Sequence, residues 1–371
     1  MSKTRVLQVF ASLDMGGAEC RMMDIYRAID RSKIDFDFVT LQLGKQYFEN
    51  EISKFSCKVI KIHSPRDIGI LKHIKELRKC IREGQYDAIH AHTSYHCGLV
   101  MLAAYLEKVP IRITHARTNG SIQKSFLTKL YIGFGRILIN RFSTHKLAIS
   151  KESGKFVFGK SKFKVIPNSI VLDKYIHISA EEISELKREL KINASCFVVG
   201  HIGRFDRFKN QRFVIDVFSE LIKSRPNSKL VLVGDGELKS DLEVYVQELK
   251  IDDKVIFTGV RNDVPKLINS FDVLLFPSIV EGLGGVVLEA QAANIPSVVS
   301  ENIPNEVDLK LGLIKKLDLI SPVDDWVDAL IGNFTLSNTD DIKNSFEQRG
   351  YTISYAVNYY SKIYQGINDE V

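Results

Sequence analysis

Short β-branched or aromatic segments alternate with longer segments of helical periodicity along most of this 371-residue chain. In the first half, the strand candidates are residues 6–11, 36–42, 58–62, 88–92, 111–115, 146–150 and 164–166. In the second half, they are residues 197–202, 229–233, 254–258, 273–276 and 297–300. The segments between them, such as 18–29 and 71–83, carry apolar residues spaced three and four apart. Such alternation predicts two parallel sheets covered by helices, that is, two doubly wound α/β units.

The length also favours two domains, because 371 residues exceed what one ordinary hydrophobic core accommodates. A strand candidate ends before Pro167, and an Asn168-Ser169 turn follows. We therefore predict an N-terminal domain over residues 1–168 and a C-terminal domain over residues 169–348. The aromatic-rich residues 349–371 are predicted to contain a helix that could pack back on the N-terminal domain.

Charge is distributed unevenly between the two halves. Residues 1–170 contain 29 Lys and Arg against 14 Asp and Glu, whereas residues 171–371 contain 22 against 31. A basic N-terminal half suggests an anionic partner, such as nucleic acid, a phospholipid surface or a phosphorylated substrate. An uneven solvated surface is the alternative. Nucleic acid is the weakest of these candidates, because the chain has no basic module interleaved with aromatic residues.

The chain carries no evident export or membrane signal. Its N-terminus lacks the apolar stretch of a signal peptide, and no window holds the roughly 18 uncharged apolar residues of a membrane span. Five cysteines are scattered without CxxC spacing, which suits a reducing compartment. We therefore expect a cytoplasmic protein.

Ligands of open parallel sheets bind beyond the carboxyl ends of the strands, and three loops there carry candidate residues. The first loop holds Gly16 and Gly17 directly before a helix. Paired glycines allow backbone amides to approach a phosphate or sugar at the positive end of the helix dipole. The loop is neither a GxGxxG dinucleotide loop nor a P-loop, and a tight strand-to-helix turn explains it equally well.

The second loop holds Arg204, Lys209 and Asn210 after the first strand of the second half. An arginine forks onto phosphate oxygens and a lysine supplies a point charge, so Arg204 and Lys209 could hold a diphosphate and neutralise it as it leaves. The alternative is a basic helix start, which is unfavourable because cations sit poorly at a helix N-terminus.

The third loop runs from Glu281 through three glycines to Glu289, within a segment predicted to be helical over residues 286–293. Eight residues of helix rise about 12 Å, so the two carboxylates could contact opposite ends of a nucleotide-diphosphate-sugar. Glu281 would then accept from sugar hydroxyls and Glu289 from the ribose diol. A salt bridge at either glutamate is the alternative.

Two further patterns suggest metal only weakly. His90, His92 and His96 have metal-like spacing, and the first two share a face of a strand, but no metallohydrolase arrangement of Asp or His follows. Asp35 and Asp37 form the short DxD of metal-using sugar transferases. They lie inside a strand-like alternation, so we interpret them as the polar face of an edge strand.

Taken together, the loops resemble glycosyltransferase family 4. The matching segments are Gly16 to Glu19, residues 166–169, Gly203-Arg204, Lys209-Asn210, residues 233–237, residues 257–259, residues 261–264 and residues 281–289. They cover nearly the whole chain in order. Residues 90–100, 112–119 and 281–300 are most similar to the branch that builds bacterial capsule and exopolysaccharide repeat units.

The resemblance implies a GT-B fold, in which two Rossmann-like domains face each other across a cleft. It implies retaining sugar transfer from a nucleotide-diphosphate-sugar donor, with no cofactor and no obligatory metal. The implied catalytic residues are His115, Arg204, Lys209 and Glu281. The implied donor contacts are Gly16, Gly17, Asn210, Val260, Arg261, Gly282, Leu283, Gly284, Gly285 and Glu289.

A basic amphipathic segment over residues 121–141 gives the N-terminal half a candidate membrane surface. Lys124, Lys129 and Arg136 lie among Phe, Leu and Ile there, and such a segment can lie on an anionic bilayer. A core helix with a basic outer face is the alternative. Arg117 and Asn119, which follow His115, are further candidate acceptor contacts.

The resemblance, together with this basic segment, implies transfer of a sugar, from a UDP-sugar in particular, to a polyprenyl-diphosphate-linked glycan at the inner face of the cell membrane. Two alternatives remain: the same transfer to a soluble acceptor, and a non-catalytic sugar-binding subunit.

Overall fold

The computed structural model describes residues 3–55, 57–118 and 126–367. The chain forms two compact units. The N-terminal unit comprises Met1–Ile170 together with Gly350–Val371, and the C-terminal unit comprises Val171–Arg349. No helix among the described residues is both long enough and apolar enough to cross a bilayer.

The N-terminal unit contains a seven-stranded sheet in the order β3-β2-β1-β4-β5-β6-β7, with every neighbouring pair parallel. Its strands are β1 (Thr4–Phe10), β2 (Ile34–Thr40), β3 (Val59–Lys61), β4 (Ala88–Ala91), β5 (Ile111–Ala116), β6 (His145–Ala148) and β7 (Lys164–Val165). From β1 the chain adds strands first toward one edge of the sheet and then, from β4 onward, toward the other edge. The position between β1 and β4 is therefore the switch point, where such sheets bind ligands.

The helices of this unit cover both faces of its sheet. They are α1 (Gly17–Ala28), α2 (Glu49–Ser53), α3 (Pro65–Ile68), α4 (Ile70–Gly84), the 3₁₀ helix Ser94–His96, α5 (Cys97–Leu106), α6 (Phe126–Phe142) and α7 (Lys151–Phe158). Successive residues of β1 point to opposite faces, so Val6 joins one apolar core and Leu7 the other.

The C-terminal unit contains a six-stranded parallel sheet in the order β10-β9-β8-β11-β12-β13. Its strands are β8 (Phe197–Ile202), β9 (Ser228–Val233), β10 (Val255–Gly259), β11 (Val273–Phe276), β12 (Ser297–Ser300) and β13 (Ile314–Leu317). The sequence did not predict β13, because two of its four residues are lysines and it lies at the edge of the sheet.

Nine helical segments accompany this sheet among the described residues. They are α8 (Asp173–Ile176), α9 (Ala180–Glu189), α10 (Gln211–Ser224), α11 (Lys239–Glu248), α12 (Val264–Asn269), α13 (Gly285–Ala292), the 3₁₀ helix Asn305–Val307, and α14 (Val323–Ile331) with α15 (Thr339–Gln348) after it. Their apolar faces enclose a core that includes Trp326 and Phe218.

The final helix, α16 (Ile353–Tyr364), packs back on the N-terminal unit, as predicted. Tyr360, Ile363 and Tyr364 are buried in the same core as Val6 and Tyr26. Aromatic residues at i and i+4 lie on one helix face, which is why this segment can fill a core formed by residues far away in sequence.

The assignment of Asp35 and Asp37 to an edge strand was wrong. Their strand, β2, lies between β3 and β1. Asp37 is buried and accepts hydrogen bonds from Arg5 at 3.0 Å and from the Tyr86 hydroxyl at 2.8 Å. The carboxylate of Asp37 therefore holds β2 to the segments of the N-terminal unit that carry Arg5 and Tyr86.

Candidate active site

In the C-terminal unit, the loop after β8 is organised by a carboxylate that the sequence analysis did not single out. Asp206 is 6% exposed. Its Oδ1 accepts from the backbone N–H groups of Phe208 at 2.9 Å and Lys209 at 3.2 Å, and its Oδ2 accepts from Arg204 Nε at 2.8 Å. Arg204 keeps 75% of its side chain exposed despite this contact. Asp206 thus fixes the loop that presents Arg204 and Lys209 at the end of β8.

Lys209 and Glu281 contact each other through Nζ and Oε1. Their side chains are 23% and 11% exposed. Gly203 makes room for the lysine, because a Cβ there would lie 3.2 Å from Lys209 Cδ. The ammonium also lies 4.9 Å from the ring centroid of Phe276, the last residue of β11. Two residues assigned separately to phosphate and to sugar are therefore brought together.

Backbone and amide contacts join the loops that carry this pair. The N–H of Ile279 donates to the Phe208 carbonyl at 2.8 Å, and the Asn210 side chain donates to the Pro277 carbonyl at 3.2 Å. Asn210 also precedes α10 in the left-handed conformation, at φ 58°. Because β8 and β11 are neighbours at the switch point of this sheet, these contacts hold both loops at the same sheet edge.

The glycines before α13 have two different roles. Gly284 adopts φ +88°, a conformation that favours glycine, and it directly precedes the helix. A Cβ at Gly285 would meet no atom of the described residues within 4 Å, so open space lies beside the first turn. The first amides of a helix lack intrahelical acceptors, which leaves them available to an anion or a hydroxyl. Gly282 and the buried Leu283 complete the turn.

Glu289 lies one turn into α13 and is only 9% exposed. The helix starts at Gly285, whereas Glu281 belongs to the preceding turn. The helical rise from Gly285 to Glu289 is about 6 Å, so the helix supplies only part of the span between the two glutamates, and their placement at opposite ends of a donor stays a prediction.

Val260 and Arg261 follow β10, which ends at Gly259. Val260 is 59% exposed, which leaves it free of the core. The Arg261 guanidinium donates to Glu189 at 2.7 Å and to Asp263 at 2.6 Å. The Arg261 side chain is therefore held by carboxylates of the protein, which leaves the backbone of this segment for the predicted donor contact.

In the N-terminal unit, Gly16 and Gly17 form the start of α1, at the end of the loop that follows β1. A Cβ at Gly16 would collide with the carboxylate of Glu19, which folds back over it, whereas a Cβ at Gly17 would meet no described atom within 4 Å. Burial raises the pKa of the Glu19 carboxyl above its ordinary value, and the positive charge of the nearby Arg117 offsets part of this rise. Glu19 belongs to the matching segment Gly16 to Glu19, but the motif alone indicates no role for it.

His90 and His92 at the end of β4 adjoin His115 near the end of β5. The ring centroids of His90 and His92 are 4.1 Å apart, and those of His90 and His115 are 5.3 Å apart. One ring nitrogen of each lies within 4.8 Å of the others, which is a possible arrangement for a metal ion. Burial holds the pKa of all three well below the ordinary value, so all three are neutral.

The hydrogen-bond partners of these histidines include Gln8 on β1 and Tyr364 on α16. Sequence reasoning missed both, because they come from opposite ends of the chain. His96, in contrast, pairs with His73 at 3.1 Å between the Nε2 atoms and does not join His90 and His92. Of the three histidines in the sequence pattern, the structure therefore brings His90 and His92 together and separates His96 from them.

The candidate acceptor residues differ in their contacts and in their exposure. The Arg117 guanidinium donates to His92 Nδ1 at 2.9 Å and to Asn168 Oδ1 at 2.7 Å. Arg136 donates to the carbonyls of Phe156 and Val157, near the end of α7. Lys129 is exposed on α6. Asn119 and Lys124 lie outside the described residues.

Comparisons with known proteins agree with this architecture. Residues 15–174 match the model of Glycosyltransferase Family 4, and residues 160–309 match that of Glycosyl transferases group 1. The chain is 31% identical over 359 residues to the putative glycosyltransferase EpsF of Bacillus subtilis, covering 94% of this chain and 93% of that protein.

Two further matches carry names that specify ligands. An Escherichia coli UDP-Gal:alpha-D-GlcNAc-diphosphoundecaprenol alpha-1,3-galactosyltransferase is 25% identical over 346 residues, covering 89% of this chain and 88% of that one. The crystal structure of Anabaena Alr3699/HepE in complex with UDP-glucose superimposes with a TM-score of 0.72 at 22% identity, covering 98% of each chain. The fold and the family models together define a two-domain glycosyltransferase of the GT-B class. The chain belongs to glycosyltransferase family 4.

Proposed function

We propose that this protein is a retaining transferase that moves a sugar from a UDP-sugar to a lipid-linked glycan in capsule, exopolysaccharide or related cell-surface polysaccharide synthesis. The observation that carries the proposal is the contact between Lys209 and Glu281 at the carboxyl edge of the C-terminal sheet. A cation and a carboxylate shielded from water, beside a glycine-rich helix start, match the two chemistries of a nucleotide-sugar: anionic phosphates and hydroxyl-rich sugar.

The residues of this edge have separate roles in the proposed reaction. Lys209 and the exposed Arg204 neutralise the diphosphate, while the first amides of α13 donate to phosphate or sugar oxygens. Glu281 accepts from sugar hydroxyls, and Glu289 accepts from the ribose. Rate enhancement comes from charge that is positioned before the reaction begins.

The chemical step needs no dedicated carboxylate nucleophile. The anomeric C–O bond to the diphosphate breaks, and its electron pair leaves with the phosphate oxygen. The acceptor hydroxyl attacks from the same face as positive charge develops on the sugar ring, and its proton passes to the departing phosphate oxygen. Since Lys209 and Arg204 stabilise that leaving group, we propose that transfer requires no divalent metal.

A stripe of exposed apolar side chains on α6 supports a membrane-borne acceptor. Its members are Phe126 (74% exposed), Leu130 (56%), Phe134 (45%) and Ile137 (67%). Their spacing of four, four and three residues places them on one side of the helix. Gly135, in contrast, lies against Gly98 of α5, so a different face of α6 packs on the unit. We propose that this stripe, with Lys129 beside it, contacts an anionic bilayer at the cytoplasmic side.

A thermal-shift screen of nucleotide-sugars tests the donor assignment, because a ligand that binds only the folded state raises the melting temperature by mass action. We expect UDP-sugars to raise it in the wild-type protein and to lose this effect in Glu281→Ala. Absence of a shift with every UDP-, GDP- and dTDP-sugar would contradict the proposal. NMR of the product's anomeric centre then tests retention, and assay in EDTA tests metal independence.

A further inference from the structure

Six side chains of the N-terminal unit form one continuous chain of hydrogen bonds. It runs from Arg117 through His92, Gln8, Tyr364 and His90 to His115. The histidines, Gln8 and Tyr364 are each at most 9% exposed, so water does not compete for these contacts. The direction in which each bond donates can therefore be worked out from the first link.

The first link is fixed because a guanidinium can only donate. Arg117 Nε donates to His92 Nδ1 at 2.9 Å, so the proton of the neutral His92 ring must lie on Nε2. That Nε2–H donates to Gln8 Oε1 at 3.0 Å. The Gln8 amide is thereby oriented, and its NH₂ group faces the Tyr364 hydroxyl at 3.0 Å and donates to it.

The tyrosine transmits this direction to the second pair of rings. The Tyr364 hydroxyl accepts from Gln8 and has one proton of its own to donate, and His90 Nδ1 lies 2.7 Å away. If Tyr364 donates to Nδ1, the proton of the neutral His90 ring lies on Nε2, which is 3.2 Å from His115 Nδ1. His115 Nδ1 then accepts, and the His115 proton lies on Nε2.

The last atom of the chain is in an unusual position. His115 Nε2 is buried and has no partner of hydrogen-bond geometry among the described residues. Burial lowers the pKa of His115, whereas a hydrogen bond to the backbone of Ile166 acts in the opposite direction, and such a backbone acceptor favours a proton on the ring. The Tyr360 hydroxyl, 3.5 Å from His115 Nδ1, is too distant to replace His90 as the main partner.

We propose that Gln8, Tyr364 and His90 are positioning residues that hold His115 as a neutral donor with its proton on Nε2, directed toward substrate. The part of this statement that concerns substrate rests on the proposed function, whereas the position of the proton does not. A neutral N–H stabilises a hydroxyl or phosphate oxygen without taking up a proton when the pH falls slightly. The same chain leaves no free ring lone pair, so the three histidines do not form a metal site.

Nitrogen NMR of protein labelled with ¹⁵N-histidine measures the proton position directly, because protonated and bare ring nitrogens have well-separated shifts. We expect the wild-type protein to show His115 protonated on Nε2 only, with the signals assigned by their loss in His115→Gln. A proton on Nδ1 of His115 in the wild-type protein would overturn the proposal, and so would displacement of all three histidine signals by added Zn²⁺.

Two substitutions test the direction of the chain. Tyr364→Phe removes the hydroxyl that donates to His90 Nδ1, so nothing then favours one direction of the hydrogen bond between His90 and His115. His115 should become a mixture of both tautomers. Gln8→Glu replaces the donor to Tyr364 with an acceptor, so the chain beyond it should reverse and move the His115 proton to Nδ1. Tyr355→Phe, on the same helix and 42% exposed, is the matched control and should leave the His115 signals unchanged.

Kinetics separate this proposal from the proposed function. We expect kcat for sugar transfer to fall roughly two- to tenfold in Tyr364→Phe and about a hundredfold in Gln8→Glu, the scale of losing one positioned donor, with little change in the KM of the donor. Unchanged His115 signals in a folded Tyr364→Phe variant refute the proposed hydrogen-bond chain, even if sugar transfer proceeds. If the tautomers are as expected but the wild-type protein transfers no sugar, the proposed function is refuted and the hydrogen-bond chain is supported.

Discussion

The ammonium of Lys209 contacts the carboxylate of Glu281, and neither side chain exposes more than a quarter of its surface. An ion pair of this kind stabilises the unliganded protein, because removal of one partner takes a compensating charge away from a partner that is largely shielded from water. The pair can therefore have both a structural role and a role in transfer, and the two must be separated by experiment.

We expect Lys209→Ala and Glu281→Ala each to reduce sugar transfer by about a hundredfold or more, since each removes a charge positioned for the transition state. Each should also lower the free energy of unfolding by roughly 1–3 kcal/mol, less than for a fully buried pair. The double variant should recover much of the stability but none of the activity. The measurements are denaturant unfolding and transfer assays.

Lys223→Ala provides the control for this pair. Lys223 and Glu220 form an exposed ion pair on α10, which should contribute little to stability and nothing to transfer. Full activity in either Lys209→Ala or Glu281→Ala would remove both residues from the candidate site.

The neighbouring glycines Gly284 and Gly285 should respond in opposite ways to alanine. Gly284→Ala forces a side chain into φ +88° and should cost about 1–2 kcal/mol of stability. Gly285→Ala adds a methyl group to open space in a helix and should leave stability unchanged or slightly higher. If that space holds the donor, Gly285→Ala should instead weaken UDP-sugar binding, measured by calorimetry. Equal donor affinity in Gly285→Ala and wild type would exclude the donor from this position.

The exposed stripe on α6 predicts binding to anionic vesicles in a flotation assay. Leu130→Glu combined with Ile137→Glu should weaken binding at least about tenfold, because apolar burial is lost and negative charge is added near a negative surface. Ile320→Glu is a suitable control, since Ile320 is 89% exposed but belongs to the C-terminal unit. Failure of the wild-type protein to float with vesicles of phosphatidylglycerol would favour a soluble acceptor.

Buried neutral histidines predict loss of stability in mild acid. Burial lowers the pKa of His90, His92 and His115 well below the ordinary value, that of His96 to about 3 and that of His201 to about 4. Below a pH of about 6.5 the unfolded chain takes up protons that the folded chain does not, so the free energy of unfolding must fall as the pH is lowered. Each histidine contributes up to about 1.4 kcal/mol per pH unit in that range.

Denaturant titrations at pH 7 and pH 5 measure this slope. His201→Gln should make this slope shallower, because it removes one group that takes up a proton in the unfolded chain. The fold should be kept, because glutamine can still donate to the Leu275 carbonyl that His201 Nδ1 contacts at 2.9 Å. A midpoint that does not change between these two pH values would contradict the neutral assignment of the histidines.

The positions of most strands and of the candidate loops along the chain were predictable from the sequence, because each depends on local pattern. Strands of parallel sheets give continuous apolar runs, and the loops after β1, β8 and β11 carry glycines and charged residues where ligands bind. The DxD pair shows the limit of this reasoning. Alternating polarity suggested an edge strand, but Asp37 is buried because Arg5 and Tyr86 compensate its carboxylate from other segments.

The partners within each site depend on tertiary structure and could not be predicted. Asp206 looked like an ordinary loop residue, although it fixes the conformation that presents Lys209. Nothing in the local sequence of Tyr364 indicates that its hydroxyl contacts Gln8, 356 positions away. Residues of this kind could be found only by asking which buried side chains satisfy the hydrogen bonds of a predicted catalytic histidine.

The return of α16 to the N-terminal unit affects how the protein is made. The C-terminal unit is one continuous segment, Val171–Arg349, and can fold as soon as that segment has left the ribosome. The N-terminal unit is synthesised first, yet its core lacks Tyr360 and Tyr364 until translation has passed the last turn of α16. A chain terminated shortly before Tyr364 would thus keep the segment of its C-terminal unit but lack the tyrosine that we propose orients His115. If Tyr364 has the role we propose, sugar transfer therefore requires translation to pass the last turn of α16.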